Sequence, residues 1–307
     1  MTNTVIPSVE VLVSTYNGES YLKEQLKSIL WQKDVDLHCL VRDDGSKDNT
    51  VQILEQYENN YAGKFHYIKG ENVGFFKSFY KLVEQSGDFD FYAFSDQDDL
   101  WDMAKLTKCI DKLNLQAKVP EMCFCNSLLV DSDLNPIRLL FTKKDILPNE
   151  KHSRVLECLT AGCTIVFNKS ARDAFLKGNQ EVLTIHDFWL YVVCSYLGHV
   201  FYETEPLIQY RQHNNNVIGN KNDLRSIWKM RFKQIKKITH MREELAGELI
   251  RCFSDTMSDY EIKRLLPIRD YRKNLRDRLR LLFYKAYKMP SLRKTFWFKV
   301  HVLLGNV

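Results

Sequence analysis

Three carboxylates lie within four positions in Ser95-Asp-Gln-Asp-Asp-Leu-Trp101, directly after the apolar run Phe91-Tyr-Ala-Phe94. Such a run reads as a short buried strand. The acids therefore sit at its exit, where like charges repel and need compensation. No Lys or Arg lies nearer in sequence than Lys105. A hard divalent cation, Mg2+ or Mn2+, suits oxygen ligands of this kind and completes its shell with water and phosphate oxygens. The plainer reading is a solvated acidic turn or the start of a helix. A further acid, Asp187, follows His186 and precedes the apolar pair Phe188-Trp189. A carboxylate at the edge of an apolar pocket suits general-base chemistry, and an acid in the first turn of a helix is its ordinary alternative. His213, with the amides of Asn214 to Asn216 behind it, suits a metal, a phosphate or a surface loop.

The elements that must position these groups follow from periodicity. Strands are expected at 9–13, 37–41, 65–68 and 91–94, and amphipathic helices at 19–31, 49–57 and 75–86. Four alternations of strand and helix with short connections predict an α/β fold with a mostly parallel central sheet and helices on both faces. Ligands bind such sheets at the carboxyl ends of the strands. Ser14 to Asn17, Asp43 to Ser46, Asn72 to Gly74 and Asp96 to Asp99 all fall there, so four polar clusters converge on one crevice. Neither a G-x-G-x-x-G nor a P-loop motif is present, so a nucleotide would be held differently. Tyr16 could stack on a base and Asp44 could accept from a base N–H, although Tyr-Asn-Gly and Asp-Gly-Ser make turns unaided. Further strands are expected at 122–130 and 162–167, an irregular loop over the crevice at 132–152, and an apolar helix from 184 to 197.

The 307 residues are 45% hydrophobic and 12% aromatic, values of a chain with a real core. No run of about 18 apolar residues occurs, and the first residues lack the pattern of a signal peptide, so the expected location is the cytoplasm. The eight cysteines sit in apolar segments without a C-x-x-C pair, and read as buried free thiols. Charge is divided: residues 1–224 carry 23 Lys and Arg against 31 acids, and residues 225–307 carry 21 against 8. A catalytic part over 1–222 and a basic, amphipathic helical extension over 223–307 follow.

Val11-Leu-Val-Ser-Thr-Tyr-Asn-Gly18, Val41-Arg-Asp-Asp-Gly-Ser-Lys-Asp-Asn-Thr50, Asn72-Val-Gly74, Ser95-Asp-Gln-Asp-Asp-Leu-Trp101, Gly162-Cys-Thr, His186-Asp187-Trp189 and Tyr210-Arg-Gln-His213 together resemble family 2 glycosyltransferases of the inverting, nucleotide-sugar-dependent type. Within that family they look like the bacterial rhamnosyltransferase branch that builds cell-surface polysaccharides. The resemblance implies a GT-A fold over about residues 7–218. It implies that Ser14, Tyr16, Asn17, Asp43, Asp44 and Asp96 hold the nucleotide and that Asp98, with His213, holds Mg2+ or Mn2+. It further implies that Asp99, Trp101, Gly162, His186 and Trp189 meet the donor or acceptor sugar and that Asp187 is the catalytic base. His186 stands where the family often has Glu. The implied donor is a nucleotide-diphosphate sugar, dTDP-rhamnose foremost and a UDP-hexose as the alternative. The implied acceptor is a glycan or polyprenyl-diphosphate-linked glycan.

Two rivals remain at this level. A sugar nucleotidyltransferase would carry a Gly-rich, Arg-containing loop after its first strand, which Ser14 to Gly18 is not. A nucleotide-sugar or glycan binding module would not need Asp187. In the extension, Trp228, Phe232, Phe296 and Trp297 are interleaved with Lys and Arg, a pattern suited to the inner face of an anionic membrane; a helical subdomain packed on the core or a dimer contact is the alternative. Nucleic acid is not an expected partner, because the body is acidic and lacks a nucleic-acid motif.

Overall fold

The computed structural model describes residues 6–142, 154–212, 240–289 and 291–307. The first half alternates β1 (Ser8–Thr15), α1 (Leu22–Leu30), β2 (Asp36–Asp43), α2 (Thr50–Asn60), β3 (Phe65–Lys69), α3 (Phe75–Gln85) and β4 (Phe91–Ser95). Then come β5 (Leu100–Trp101), α4 (Lys105–Ile110), β6 (Glu121–Val130), β7 (Pro136–Leu139), β8 (Ile165–Asn168), α5 (Lys169–Phe175), α6 (His186–Leu197) and β9 (His199–Arg211). Four helices follow: α7 (Met241–Phe253), α8 (Asp259–Asp270), α9 (Leu275–Phe283) and α10 (Leu292–Leu304).

One sheet runs in the order β3-β2-β1-β4-β8-β6-β9-β5, with β7 beside β6. β1 to β4 pair in parallel, as the alternation predicts. The sheet as a whole is mixed: β8 is antiparallel to both β4 and β6, and β6 is parallel to β9. Reversing direction twice brings β6 and β9 back to the sense of β4. The start of β8 and the end of β9 therefore reach the same sheet edge as the ends of β1, β2 and β4. Two sequence expectations shift. Residues 162–164 form a 3-10 turn before β8 rather than its first residues. Part of the 132–152 loop is β7, because its backbone completes the edge of β6; residues 143–153 lie outside the described residues.

Side chains alternate across the sheet. Val9, Val11 and Val13 meet Leu22, Leu26 and Ile29 of α1 and Ile53 and Leu54 of α2 in one core. Leu12 points the other way, into a larger core with Phe79 of α3, Phe175 of α5 and Trp189 of α6. The C-terminal helices extend that second core through Leu249, Phe253, Ile268, Leu281, Phe298 and Val302. Each such aliphatic or aromatic side chain contributes roughly 1.5–3 kcal/mol by burial. Polar ties reinforce the contact: Arg242 donates to the Leu156 carbonyl and Arg251 to that of Lys177. All eight cysteines are free thiols and six are buried, as their sequence placement implied. Among the described residues no helix is long and apolar enough to cross a membrane.

Glu10 faces the larger core far from the crevice, accepting from the Gly87 N–H at 2.9 Å. Burial raises its carboxyl to about 7, with the Gly87 bond and Arg172 opposing. A raised native pKa means that the stability Glu10 contributes is complete below its unfolded value and lost as pH rises through about 7. Glu10→Gln keeps an acceptor for Gly87 and removes the titration. Its unfolding free energy should exceed that of the native chain at pH 8, by on the order of 1–3 kcal/mol, and match it near pH 4. An equal difference at both pH values would exclude this account.

Candidate active site

The acid loop leaves β4 at Ser95 and is clamped by Gln97. Its Oε1 accepts from the Thr15 hydroxyl at 2.7 Å and the Tyr16 N–H at 2.8 Å, and its Nε2 donates to the Tyr16 carbonyl at 3.2 Å. The side-chain amide thus pairs with the chain after β1 as a neighbouring strand would. A Cβ on Gly18 would run into the Gln97 amide and the Thr15 hydroxyl, so only glycine lets these loops close. Gln97 was not among the residues singled out from sequence, since a lone glutamine has no spacing signal.

On the nucleotide side, Asn17 has a left-handed backbone (φ 50°), and its side-chain Oδ1 accepts from the Lys47 N–H at 2.8 Å. Asp43 accepts from the Gly45 and Ser46 N–H groups and the Ser46 hydroxyl, an Asx turn. Asp44 is buried; it pairs with Arg42 and accepts from the N–H groups of Val73 and Gly74 at 2.9 Å each. Three of the roughly four acceptor sites of a carboxylate are thus committed. Ser14 shares a 2.7 Å hydrogen bond with Ser78, which also accepts from Arg42. These residues tie the ends of β1 and β2 to the start of α3. The Tyr16 ring, 44% exposed, is the accessible aromatic among them.

At the crevice floor, Asp96 and Asp98 are half-buried and Asp99 is buried. Burial, then the charges of Asp98 and Asp187, push Asp96 above the usual carboxylate range. Burial, then the charges of Asp98 and Asp96, push Asp99 well above it. Asp99 Oδ1 accepts from the Arg211 N–H at 3.1 Å; its Oδ2 is sealed from solvent without a hydrogen-bond partner among the described residues. Asp96, Asp99 and Cys163 bring one donor atom each within 4.8 Å of one another. Two cations that sequence left distant arrive here. Lys105 is buried over the Trp101 ring, 2.9 Å from its centroid, and donates to the Cys163 carbonyl at 2.8 Å. Arg211 donates to the Asp98 carbonyl at 3.0 Å and pairs with Glu24 at 2.7 Å. Lys105 holds the turn before β8 and Arg211 the acid loop, each through a backbone carbonyl, and Asp96 stays above the usual carboxylate range.

A hard cation fits part of this set. Carboxylates are its preferred ligands, and Asp96 and Asp98 are half-buried rather than sealed. The Cys163 thiol does not fit, because burial raises its pKa well above the usual value and leaves it neutral. Asp99 Oδ2 does not fit either, being out of reach of water and therefore of a hydrated ion.

Asp187 enters from the first turn of α6, half-buried. Burial raises it to about 6, while N–H groups of Phe188, of Asp187 itself and of Gly162 hold it down. His186 is turned inward. Its ring stacks on Phe79 at 4.0 Å and stands edge-on to Phe94 at 4.9 Å. Both ring nitrogens are sealed without partners among the described residues, and burial lowers the imidazole to about 3. A Cβ on Gly162 would lie 2.6 Å from His186 Nε2, so this glycine lets the turn press on the ring and offer its N–H to Asp187. Three aromatic or imidazole side chains expected at the sugar are buried in this structure. His186 seats the start of α6, Trp189 donates to the Phe175 carbonyl at 2.9 Å inside the core, and Trp101 is buried against Lys105. Their apolar surface found the core because sheet and helix packing, not loop position, set their direction. His213 lies outside the described residues.

The family model for glycosyl transferase family 2 matches residues 10–138. The dTDP-rhamnosyl transferase RfbG of Shigella flexneri is 32% identical over 223 residues, covering 67% of this chain and 73% of that protein. The putative teichuronic acid biosynthesis glycosyltransferase TuaG of Bacillus subtilis is 25% identical over 244 residues, 77% and 91% of the two chains. Among solved structures, a mannosyltransferase from Pyrobaculum calidifontis in complex with GDP-Man and Mn2+ superposes with a TM-score of 0.56 at 11% identity, over 99% of this chain and 89% of that one. S. aureus TarS 1-349 in complex with UDP-GlcNAc does so with 0.52 at 17%, over 97% and 92%. These superpositions agree with the mixed sheet and its crevice in giving a GT-A fold, and the relationship to RfbG, reinforced by the match over β1 to β7, establishes that the chain belongs to glycosyl transferase family 2.

Proposed function

We propose that this chain transfers a sugar, with inversion, from a nucleoside-diphosphate donor to a hydroxyl of a growing cell-surface glycan. The favoured donor is dTDP-rhamnose, supported by the relative at 32% identity. The acceptor is a polyprenyl-diphosphate-linked glycan, which would place the enzyme at the inner face of the cell membrane. The observation that carries the reading is Asp187, a desolvated carboxylate raised to about 6 and near enough to the acid loop to raise Asp96.

In this reading Tyr16 stacks on the base, while Asp43, Asp44 and Ser14 keep the walls of its pocket in place. Asp96 and Asp98 would hold a divalent cation, Mg2+ or Mn2+, that supplies Lewis-acid stabilisation of the departing diphosphate. The Asp187 carboxylate takes the proton from the acceptor hydroxyl. The acceptor oxygen then bonds to the anomeric carbon from the face opposite the diphosphate, and the carbon–oxygen bond to phosphate breaks with its electron pair leaving on the nucleotide. One displacement through an oxocarbenium-like state inverts the centre.

The test is nucleotide release from dTDP-rhamnose, UDP-glucose, UDP-galactose, UDP-GlcNAc and GDP-mannose with Mn2+, Mg2+ or EDTA. Release of dTDP dependent on metal is the expected result. Release of UDP alone would keep the class and replace the donor. Donor binding without turnover, with lipid-linked acceptor present, would instead identify a binding module.

A further inference from the structure

The C-terminal helices α9 and α10 are each apolar on two faces. In α10, Thr295, Phe298 and Val302 turn inward and are buried. On the other side Leu292, Phe296 and Leu303, at i, i+4 and i+11, are 87%, 60% and 61% exposed. In α9, Leu281 and Leu282 are buried, while Leu275, Leu279 and Phe283, at i, i+4 and i+8, face solvent, Phe283 at 75% exposure. A helix that only packs on a core carries polar residues in such rows. Apolar rows left in water mark a contact surface. The rows match the sequence pattern in part: Phe296 faces outward, Trp297 is half-buried, and α9 joins because packing turns its second apolar row outward.

The charge around these rows says what covers them. Residues 271–307 carry ten Lys and Arg against one acid, Asp277, a balance of +9. Lys273, Arg276, Lys285, Lys288 and Arg293 are exposed. A second copy of the chain, docked isologously, would set two faces of this charge against each other. A soluble polyanion would satisfy the cations and leave the Phe and Leu rows in water. A bilayer with anionic headgroups offers a negative surface and an apolar layer beneath it.

We infer that the outward faces of α9 and α10 form a docking surface for an anionic lipid membrane. The inference deepens the lipid-linked acceptor reading by naming the surface that brings the crevice to its substrate, and it stands on exposure and charge independent of turnover.

The experiment is co-sedimentation of the full chain with phosphatidylcholine vesicles, with and without phosphatidylglycerol. The native chain, Phe283→Ser/Phe296→Ser and Arg276→Glu/Arg293→Glu are compared, with nucleotide release measured on each. The native chain should sediment only with phosphatidylglycerol present. Both double variants should partition about tenfold more weakly or worse, with donor hydrolysis unchanged as evidence that they fold. Failure of the native chain to sediment would overturn the inference. So would native-like sedimentation of Phe283→Ser/Phe296→Ser, which would move membrane contact elsewhere, or a dimer that this variant dissociates, which would make a second copy the occupant. Sedimentation as expected with no donor turned over by any form would refute the transferase reading and leave this surface standing.

Discussion

Asp187→Asn is expected to lower kcat by about 10²–10⁴-fold, the usual worth of a general base, while donor affinity stays as in the native chain. Asn preserves the shape of the side chain and an oxygen for the Phe188 N–H, which meets Asp187 Oδ1 at 2.8 Å. What it lacks is a site for the acceptor proton. Two further readouts separate this role from that of an ordinary acid at a helix start. In the native enzyme kcat/KM should fall as pH drops through about 6, because burial holds the carboxyl there and its protonated form cannot take a proton. The same burial opposes folding once the group ionises. A native pKa raised from 3.8 to about 6 means that stability is lost as pH rises across that interval, so the Asn variant should melt higher than the native chain at pH 8. An ordinary helix-start acid, stabilised by the dipole, would show the opposite melting shift. Native-like turnover by the Asn variant would remove Asp187 from the chemistry.

The second large effect is expected on the acid loop, and it divides three neighbouring carboxylates. Asp96→Asn and Asp98→Asn should each abolish metal-stimulated donor binding and lower turnover by about 10²-fold or more, the scale of losing electrostatic stabilisation of a leaving group. Both residues are half-buried at the floor of the crevice, and the charge of Asp98 helps to push Asp96 above the usual carboxylate range. Asp99→Asn should leave metal response close to native. Its Oδ1 already serves the Arg211 N–H, which Asn can also satisfy, and its Oδ2 is closed to solvent. Burial favours the protonated form of this acid, and Asn is a near-isostere of that form. Donor titrations with Mn2+ for the three variants decide the matter. Loss of metal response in Asp99→Asn with retention in Asp98→Asn would reverse the assignment and put the ion deeper, beside Cys163.

Much of this molecule was legible in local patterns, for a physical reason. Strand length, the apolar alternation of Val9, Val11 and Val13, and turn-formers such as Asn17-Gly18 act over a few residues, so they locate where strands stop. In a sheet whose first strands run parallel, the stops share an edge, and Ser14, Asp43 and Asp96 had to meet there. Asp187 could be named because it stands beside Phe188-Trp189 at the start of an apolar helix and falls where the family motif has its base. What surrounds these groups was decided only by packing. Lys105 reaches Cys163 across 58 positions and Arg211 reaches Asp99 across 112, through a double reversal of strand direction that no local pattern encodes. The same packing turned His186, Trp189 and Trp101 into the cores, where their burial contributes more than an exposed contact would. It also chose which of two apolar rows on α9 and α10 met water. Spacing shows that a helix has two faces, and only its neighbours determine which face is free.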